Sequence, residues 1–153
     1  YHQFVLEPAE SDAVPHGVYP ETDLALFAGR TVRVKVGTRV GPVNVALEIH
    51  DSPPPYDDTE WEDATEGDLV YDGAGVMVWG LEYGGFEQAI PQTPGDTLTP
   101  QGQHRYRVRV YARGKALEFD EPHFGDPIED YQLQLWPSTS SEPPRQTKHM
   151  SGR

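Results

Sequence analysis

Apolar and polar residues alternate with a period of two along four stretches of the chain: 31–37, 42–50, 104–114 and 129–137. In the third stretch, for example, Tyr106, Val108 and Val110 are separated by arginines. Successive side chains of a strand point to opposite faces, so this period is typical of half-buried antiparallel strands. The pattern places these residues inside: Val34, Val45, Leu47, Val108, Val110, Leu133 and Leu135.

Weaker strand patterns occupy much of the remaining chain, namely 1–8, 23–29, 67–73, 75–85 and 86–91. Fifteen glycines and fifteen prolines interrupt these runs at short intervals, as turns require. No segment has the apolar stripe with a period of 3.6 residues that an amphipathic helix needs. We therefore predict an all-β fold with little helix, an antiparallel β-sandwich of about eight or nine short strands.

The last sixteen residues differ from the rest because they are almost free of apolar side chains. A segment of this composition cannot bury enough apolar surface to offset the entropy of ordering it. The sequence therefore predicts one folded domain over residues 1–137, followed by a disordered tail over residues 138–153.

The chain is strongly acidic, with 12 Lys and Arg against 25 Asp and Glu and a formal net charge of −13. Such a charge disfavours direct binding to nucleic acid or to anionic lipid and favours a cation or a basic protein. No apolar run reaches the roughly 18 residues of a membrane span. The chain has no cysteine, which fits a reducing cytoplasm. We expect a cytoplasmic protein, with a removed leader as the open alternative because the chain opens at Tyr1.

Charge is unevenly distributed along the chain. Residues 41–104 contain no Lys or Arg and thirteen Asp and Glu, and five basic residues then follow within 105–115. Seven of the carboxylates lie within the twelve residues 57–68. If the two clusters lie on neighbouring strands, they pair across the sheet and have a structural role. If they do not, one part of the folded surface is strongly negative.

Two functional hypotheses apply to the acidic stretch 57–68. Its oxygens could bind Ca²⁺, although the spacing of an EF-hand loop is absent. Alternatively, carboxylates along an extended edge could imitate the phosphates of a nucleic acid for a basic protein, with Trp61 as apolar anchor. Trp61 could instead pack inward on the same face as Leu69. The mimicry hypothesis assigns partner binding to Asp57, Asp58, Glu60, Trp61, Glu62, Asp63, Glu66 and Asp68.

Sequence motifs of common enzymes are missing. The chain has no nucleophile-elbow motif, no glycine-rich phosphate loop and no zinc-protease motif, and its six histidines are scattered. We therefore expect a protein without catalytic residues, bound metal or cofactor.

Several short motifs resemble competence protein J, a bacterial family that inhibits the DNA-entry nuclease. They are "YHQF" at 1–4, "ALEIHDS" at 46–52, "RYRVRVYARG" at 105–114 and "EDYQLQLWP" at 129–137. The segment "TEWEDATEGDLV" at 59–70 is similar to an acidic strand of related small actinobacterial proteins, and the acidic loop is longer here. The resemblance implies a β-sandwich that binds and silences a nuclease.

These observations favour an acidic inhibitor or immunity-type protein that binds a basic nuclease or toxin. The alternative is a non-enzymatic ligand-binding β-sandwich for carbohydrate or Ca²⁺, in which Trp61, Trp79 and Trp136 form a sugar platform. An exposed row of aromatic side chains would favour the ligand-binding module. An exposed acidic ridge with buried tryptophans would favour the inhibitor.

Overall fold

The protein is an all-β sandwich of two five-stranded sheets, as the alternation predicts. A computed structural model describes residues 3–8, 20–39, 41–57, 59–82, 85–93 and 95–153, and no helix occurs among them. Tyr1 and His2 of the "YHQF" motif lie outside these residues. The described part of the chain also contains no helix with the length and hydrophobicity that a membrane crossing requires.

The first sheet has the strand order β2-β3-β1-β6-β7. Its strands are β1 (Gln3–Pro8), β2 (Ala25–Ala28), β3 (Thr31–Lys35), β6 (Val76–Glu82) and β7 (Gly85–Ile90). The second sheet has the order β10-β5-β8-β9-β4. Its strands are β4 (Asn44–Ile49), β5 (Asp63–Gly73), β8 (Gly102–Arg113), β9 (Asp130–Pro137) and β10 (Arg145–His149).

The core lies between the two sheets and is built from the inward-facing residues of the alternating stretches. Val108, Val110, Leu133 and Leu135 are fully buried there, whereas Val45 and Leu47 on the edge strand β4 are partly buried against it. Gly67 on β5 packs against Phe27 of the other sheet, and a Cβ atom at this position would lie 2.3 Å from the ring of Phe27. Glycine at this position therefore permits the observed packing.

One expectation about strand direction was wrong. β4 pairs with β9 in parallel, from Asn44 beside Asp130 to Ile49 beside Leu135, whereas the other strand pairs are antiparallel. Alternation identifies the buried face of a strand but not its direction, because both pairings have a side-chain period of two.

The expectation of a disordered tail was also wrong. Residues 145–149 form β10, which pairs with the start of β5 and extends the second sheet by one edge strand. An edge strand needs few apolar side chains, because its backbone pairing and polar contacts hold it in place. Here Gln146 accepts a hydrogen bond from the backbone of Leu24, and Ser151 donates two to the Asp63 carboxylate.

Candidate functional site

The two charge clusters of the sequence face each other across one strand pair. The register of β5 and β8 places Glu66 beside Arg109 and Asp68 beside Arg107. Glu66 Oε2 lies 3.2 Å from Arg109 Nε, and the two Asp68 oxygens lie 3.0 Å from Arg107 and 3.1 Å from Arg105. Glu66 and Asp68 therefore neutralise arginines within the sheet and do not form a free acidic ridge.

These ion pairs belong to a longer row of polar side chains on the outer face of the second sheet. The strand registers align Arg145, Glu66, Arg109, Gln134 and Glu48 side by side. Gln134 accepts a hydrogen bond from Arg109 and donates one to Glu48. A hydrogen bond from His50, joined by the one from Gln134, holds the pKa of Glu48 below its usual value.

Two proline-rich segments cover this row, so the outer face of the sheet is not simply solvated. The carbonyls of Pro54 and Pro55 accept hydrogen bonds from Arg109. On the other side, the carbonyls of Glu142 and Pro143 accept hydrogen bonds from Arg107. Both arginines are only 6% exposed as a result. Between the two segments a cleft of about 470 Å³ remains open above the arginines.

Asp63 and Glu62 are also engaged in internal contacts. Asp63 is buried and binds the backbone and the hydroxyl of Ser151. Glu62 accepts a 2.6 Å hydrogen bond from the backbone N–H of Gly114 at the end of β8. Both carboxylates therefore fasten neighbouring segments to the sandwich.

Trp61 is buried, but it does not pack on the face of Leu69 as alternation suggests. β5 begins only at Asp63, and Trp61 turns to the outer face, where its ring stacks on Tyr111 at 5.4 Å. Trp61, Ala64 and Tyr111 form a small cluster separate from the main core. The guanidinium of Arg113 lies 4.8 Å from the Trp61 ring centre and covers it from the solvent side.

Asp57 and Glu60 lie in the turn before this cluster. Asp57 accepts hydrogen bonds from the backbone and hydroxyl of Thr59, which lower its pKa. Glu60 is exposed, and Asp58 lies outside the described residues. Among the described residues of the predicted partner-binding set, Glu60 is the one whose carboxylate is exposed and has no internal contact.

A second acidic segment, the connection between β8 and β9, lies at the same end of the sandwich. Residues 113–130 contain six carboxylates against Arg113 and Lys115. Leu117 and Phe124 in this connection are 68% and 83% exposed, and Phe119 is also exposed. Sequence reasoning missed this surface, although isolated apolar residues between acids and prolines, as in "LEFDEPHFGD", are an available signal.

His123 holds the connection in shape. Its Nδ1 lies 2.6 Å from Glu118, and its Nε2 lies 2.6 Å from the carbonyl of Asp126. The hydrogen bond to that carbonyl, together with the one to Glu118, raises the pKa of His123. The turn that carries Phe124 is therefore closed by a histidine that favours its protonated form.

The ligand-binding alternative requires a metal site or an exposed aromatic platform, and the described residues form neither. Within the described ranges, no group of three His, Cys, Asp or Glu side chains converges as a metal site would require. Trp61 and Trp136 are buried, and Trp79 is half-buried and donates to the carbonyl of Glu7. The three tryptophans therefore do not form an exposed aromatic platform.

No protein-family model, curated protein or solved structure matches this chain. The resemblance to competence protein J stays a prediction from short motifs.

Proposed function

We propose that this protein is a non-enzymatic inhibitor that binds a basic protein, with a nuclease or toxin as the favoured partner. One observation carries the proposal: apolar side chains stand exposed among carboxylates at one end of the sandwich. We call this surface the acidic end and define it by Glu60, Leu117, Asp120, Glu121, Phe124 and Asp126.

The composition of the acidic end suits a protein interface. Binding energy in such interfaces concentrates in a few large apolar or aromatic side chains, surrounded by a polar rim. Phe124 and Leu117 supply the apolar centre, and the carboxylates of Glu121 and Asp126 supply the rim. A negative rim accelerates the approach of a basic partner and disfavours acidic ones.

This surface differs from the one that the sequence suggested. Glu66 and Asp68 are paired with arginines, and Asp63 is buried against Ser151, so these three cannot reach a partner. Glu60 remains available to a partner, because β5 begins beside the end of β8 and thereby brings residues 57–62 to the same end of the sandwich. We therefore propose mimicry by a different set of residues from the one that the sequence suggested.

Inhibition assays against a panel of purified basic DNA and RNA nucleases test the proposal. We expect stoichiometric inhibition of at least one of them by the wild-type protein. Phe124→Ser removes the aromatic anchor, which is exposed in the free protein and becomes buried in the proposed complex. The substitution should weaken the complex by at least about tenfold, mainly through faster dissociation. The exposed position of Phe124 means that the melting temperature should stay the same.

A charge-matched pair of variants separates a specific surface from net charge. Glu121→Gln with Asp126→Asn should slow association and flatten its dependence on salt. Asp51→Asn with Asp72→Asn removes the same charge from exposed positions at the opposite end and should change association little. Equal effects of the two pairs, or a failure to inhibit any basic nuclease, would contradict the proposal.

A further inference from the structure

The cleft above the buried arginines has the size and the lining of a small-molecule site. Its volume of about 470 Å³ lies within the roughly 300–1,000 Å³ typical of ligand pockets. Its floor is formed by Arg107, Arg109 and Glu66, and Trp136 contributes an apolar wall. It lies on the outer face of the second sheet, away from the acidic end.

The hydrogen-bond donors of the two floor arginines are used differently. Arg107 binds Glu66, Asp68 and two backbone carbonyls. Arg109 uses Nε for Glu66 and Nη1 for Gln134 and the prolines. No residue in the described part of the chain accepts a hydrogen bond from Nη2 of Arg109, although this side chain is nearly fully buried and lines the cleft.

A third arginine lies at the rim with its charge uncompensated. Arg145 on β10 is the cross-strand neighbour of Glu66, and its guanidinium has no ion pair among the described residues. The Arg145 side chain is exposed, so its donors face both the solvent and the cleft. Arg109 and Arg145 thus offer unused donors from two sides of the same cleft.

The charged residues that line the cleft carry a net positive charge. Three arginines line the cleft (Arg107, Arg109 and Arg145) with two carboxylates (Glu66 and Glu142), which leaves one positive charge among the lining residues. The whole chain carries −13. A positive cleft in so acidic a protein selects for a ligand with a compact negative group.

We propose that this cleft binds a small organic oxyanion, a carboxylate or phosphate attached to a flat apolar body. The oxygens would accept hydrogen bonds from Arg109 Nη2 and from Arg145, a geometry that guanidinium groups favour. The flat body would lie against Trp136 and the prolines of the cleft wall, Pro53 and Pro137. Arg109 already rests 5.0 Å from the Trp136 ring centre, which fixes both side chains.

Titrations with benzoate, phenyl phosphate and the neutral benzamide, at constant ionic strength, test this site. The indole N–H resonance of Trp136 in nuclear magnetic resonance spectra reports occupancy of the cleft. We expect saturable shifts with benzoate, phenyl phosphate or both, and at least about tenfold weaker binding of benzamide, because charge-assisted hydrogen bonds are lost. Which of the two anions binds more tightly identifies the natural head group.

Three arginine variants complete the test. Arg145→Ala should weaken anion binding by about tenfold or more. Arg30→Ala, an equal charge change at an exposed turn outside the cleft, should leave it unchanged. Arg109→Lys retains the charge but loses the free nitrogen Nη2. Melting curves establish that each variant is folded. Non-saturable shifts, equal binding of benzamide, or equal effects of Arg145→Ala and Arg30→Ala would overturn the proposal.

Discussion

At the scale of single residues, the buried carboxylate of Glu129 joins three segments near the acidic end. It is 1% exposed, and its two oxygens accept hydrogen bonds from the backbone of Gly37 and Thr38 and from the hydroxyl of Tyr131. Burial, followed by the charge of Glu129, raises the pKa of Tyr131, so this hydroxyl stays a donor. Position 37 requires glycine, because the Cβ atom of any other residue would lie 2.2 Å from the carbonyl oxygen of Lys115.

Removal of this carboxylate should be among the most damaging single changes. Glu129→Ala leaves the N–H of Thr38 and the hydroxyl of Tyr131 without their acceptor, and leaves the N–H of Gly37 with a longer 3.3 Å hydrogen bond to the Tyr131 oxygen. Each lost acceptor is worth about 1–3 kcal/mol, so we expect a loss of more than about 2 kcal/mol. Tyr131→Phe removes one of these donors and should cost about 1 kcal/mol. Asp72→Ala, at an exposed position, is the control. Urea unfolding followed by tryptophan fluorescence measures all three, and a smaller loss for Glu129→Ala than for Tyr131→Phe would contradict this account.

We predict that His123 makes the structure of residues 118–126 dependent on pH. Because its pKa is raised in the folded protein, its contribution is fully present below the ordinary value and is lost as pH rises through the raised value. We expect His123 to titrate above about 6.5, and the amides of residues 118–126 to exchange faster above that transition. Nuclear magnetic resonance titration measures both. Titration of His123 at or below about 6.5 would contradict the prediction.

At the scale of elements, alternation predicts strands well where one face is buried and poorly where none is. β8 and β9 were predicted closely, because Val108, Val110, Leu133 and Leu135 mark their inner face. β10 could not be predicted, since it joins an edge through its backbone and polar side chains. The parallel direction of β4 depends on where the preceding connection crosses between sheets, which periodicity does not encode.

Deletion of residues 138–153 should therefore destabilise the sandwich. The deletion exposes the edge of β5, leaves the buried Asp63 without Ser151, and removes the carbonyl of Arg153 that accepts from the buried Lys115. A buried charge that loses its partner costs about 3–5 kcal/mol, so we expect the melting temperature to fall by more than about 10 °C. Deletion of 152–153 alone retains β10 and Ser151 and should cost less. A melting temperature unchanged by the longer deletion would show that β10 contributes nothing.

At the scale of the whole molecule, the sequence predicts how much charge there is but not where it acts. The net charge of −13 and the clusters at 57–68 and 105–115 are visible in the sequence. Which carboxylates stay free depends on the register between β5 and β8, which pairs Glu66 and Asp68 with arginines, whereas Glu60 precedes β5 and is exposed. A one-residue shift of register would reverse these roles, because it would turn every side chain of β5 to the other face.

Two sets of amide substitutions should therefore change stability in opposite directions. Glu60→Gln, Glu121→Gln and Asp126→Asn remove three exposed charges that repel the rest of an acidic molecule, so the melting temperature should rise slightly at low salt. This gain should disappear near 1 M salt, where the Debye length is about 3 Å. Glu66→Gln and Asp68→Asn also reduce the negative charge, but they break ion pairs to arginines that are only 6% exposed and should cost up to about 3–5 kcal/mol. Thermal unfolding at several salt concentrations distinguishes the two sets. If both stabilise the protein equally, total charge governs its stability and the ion pairs across β5 and β8 do not.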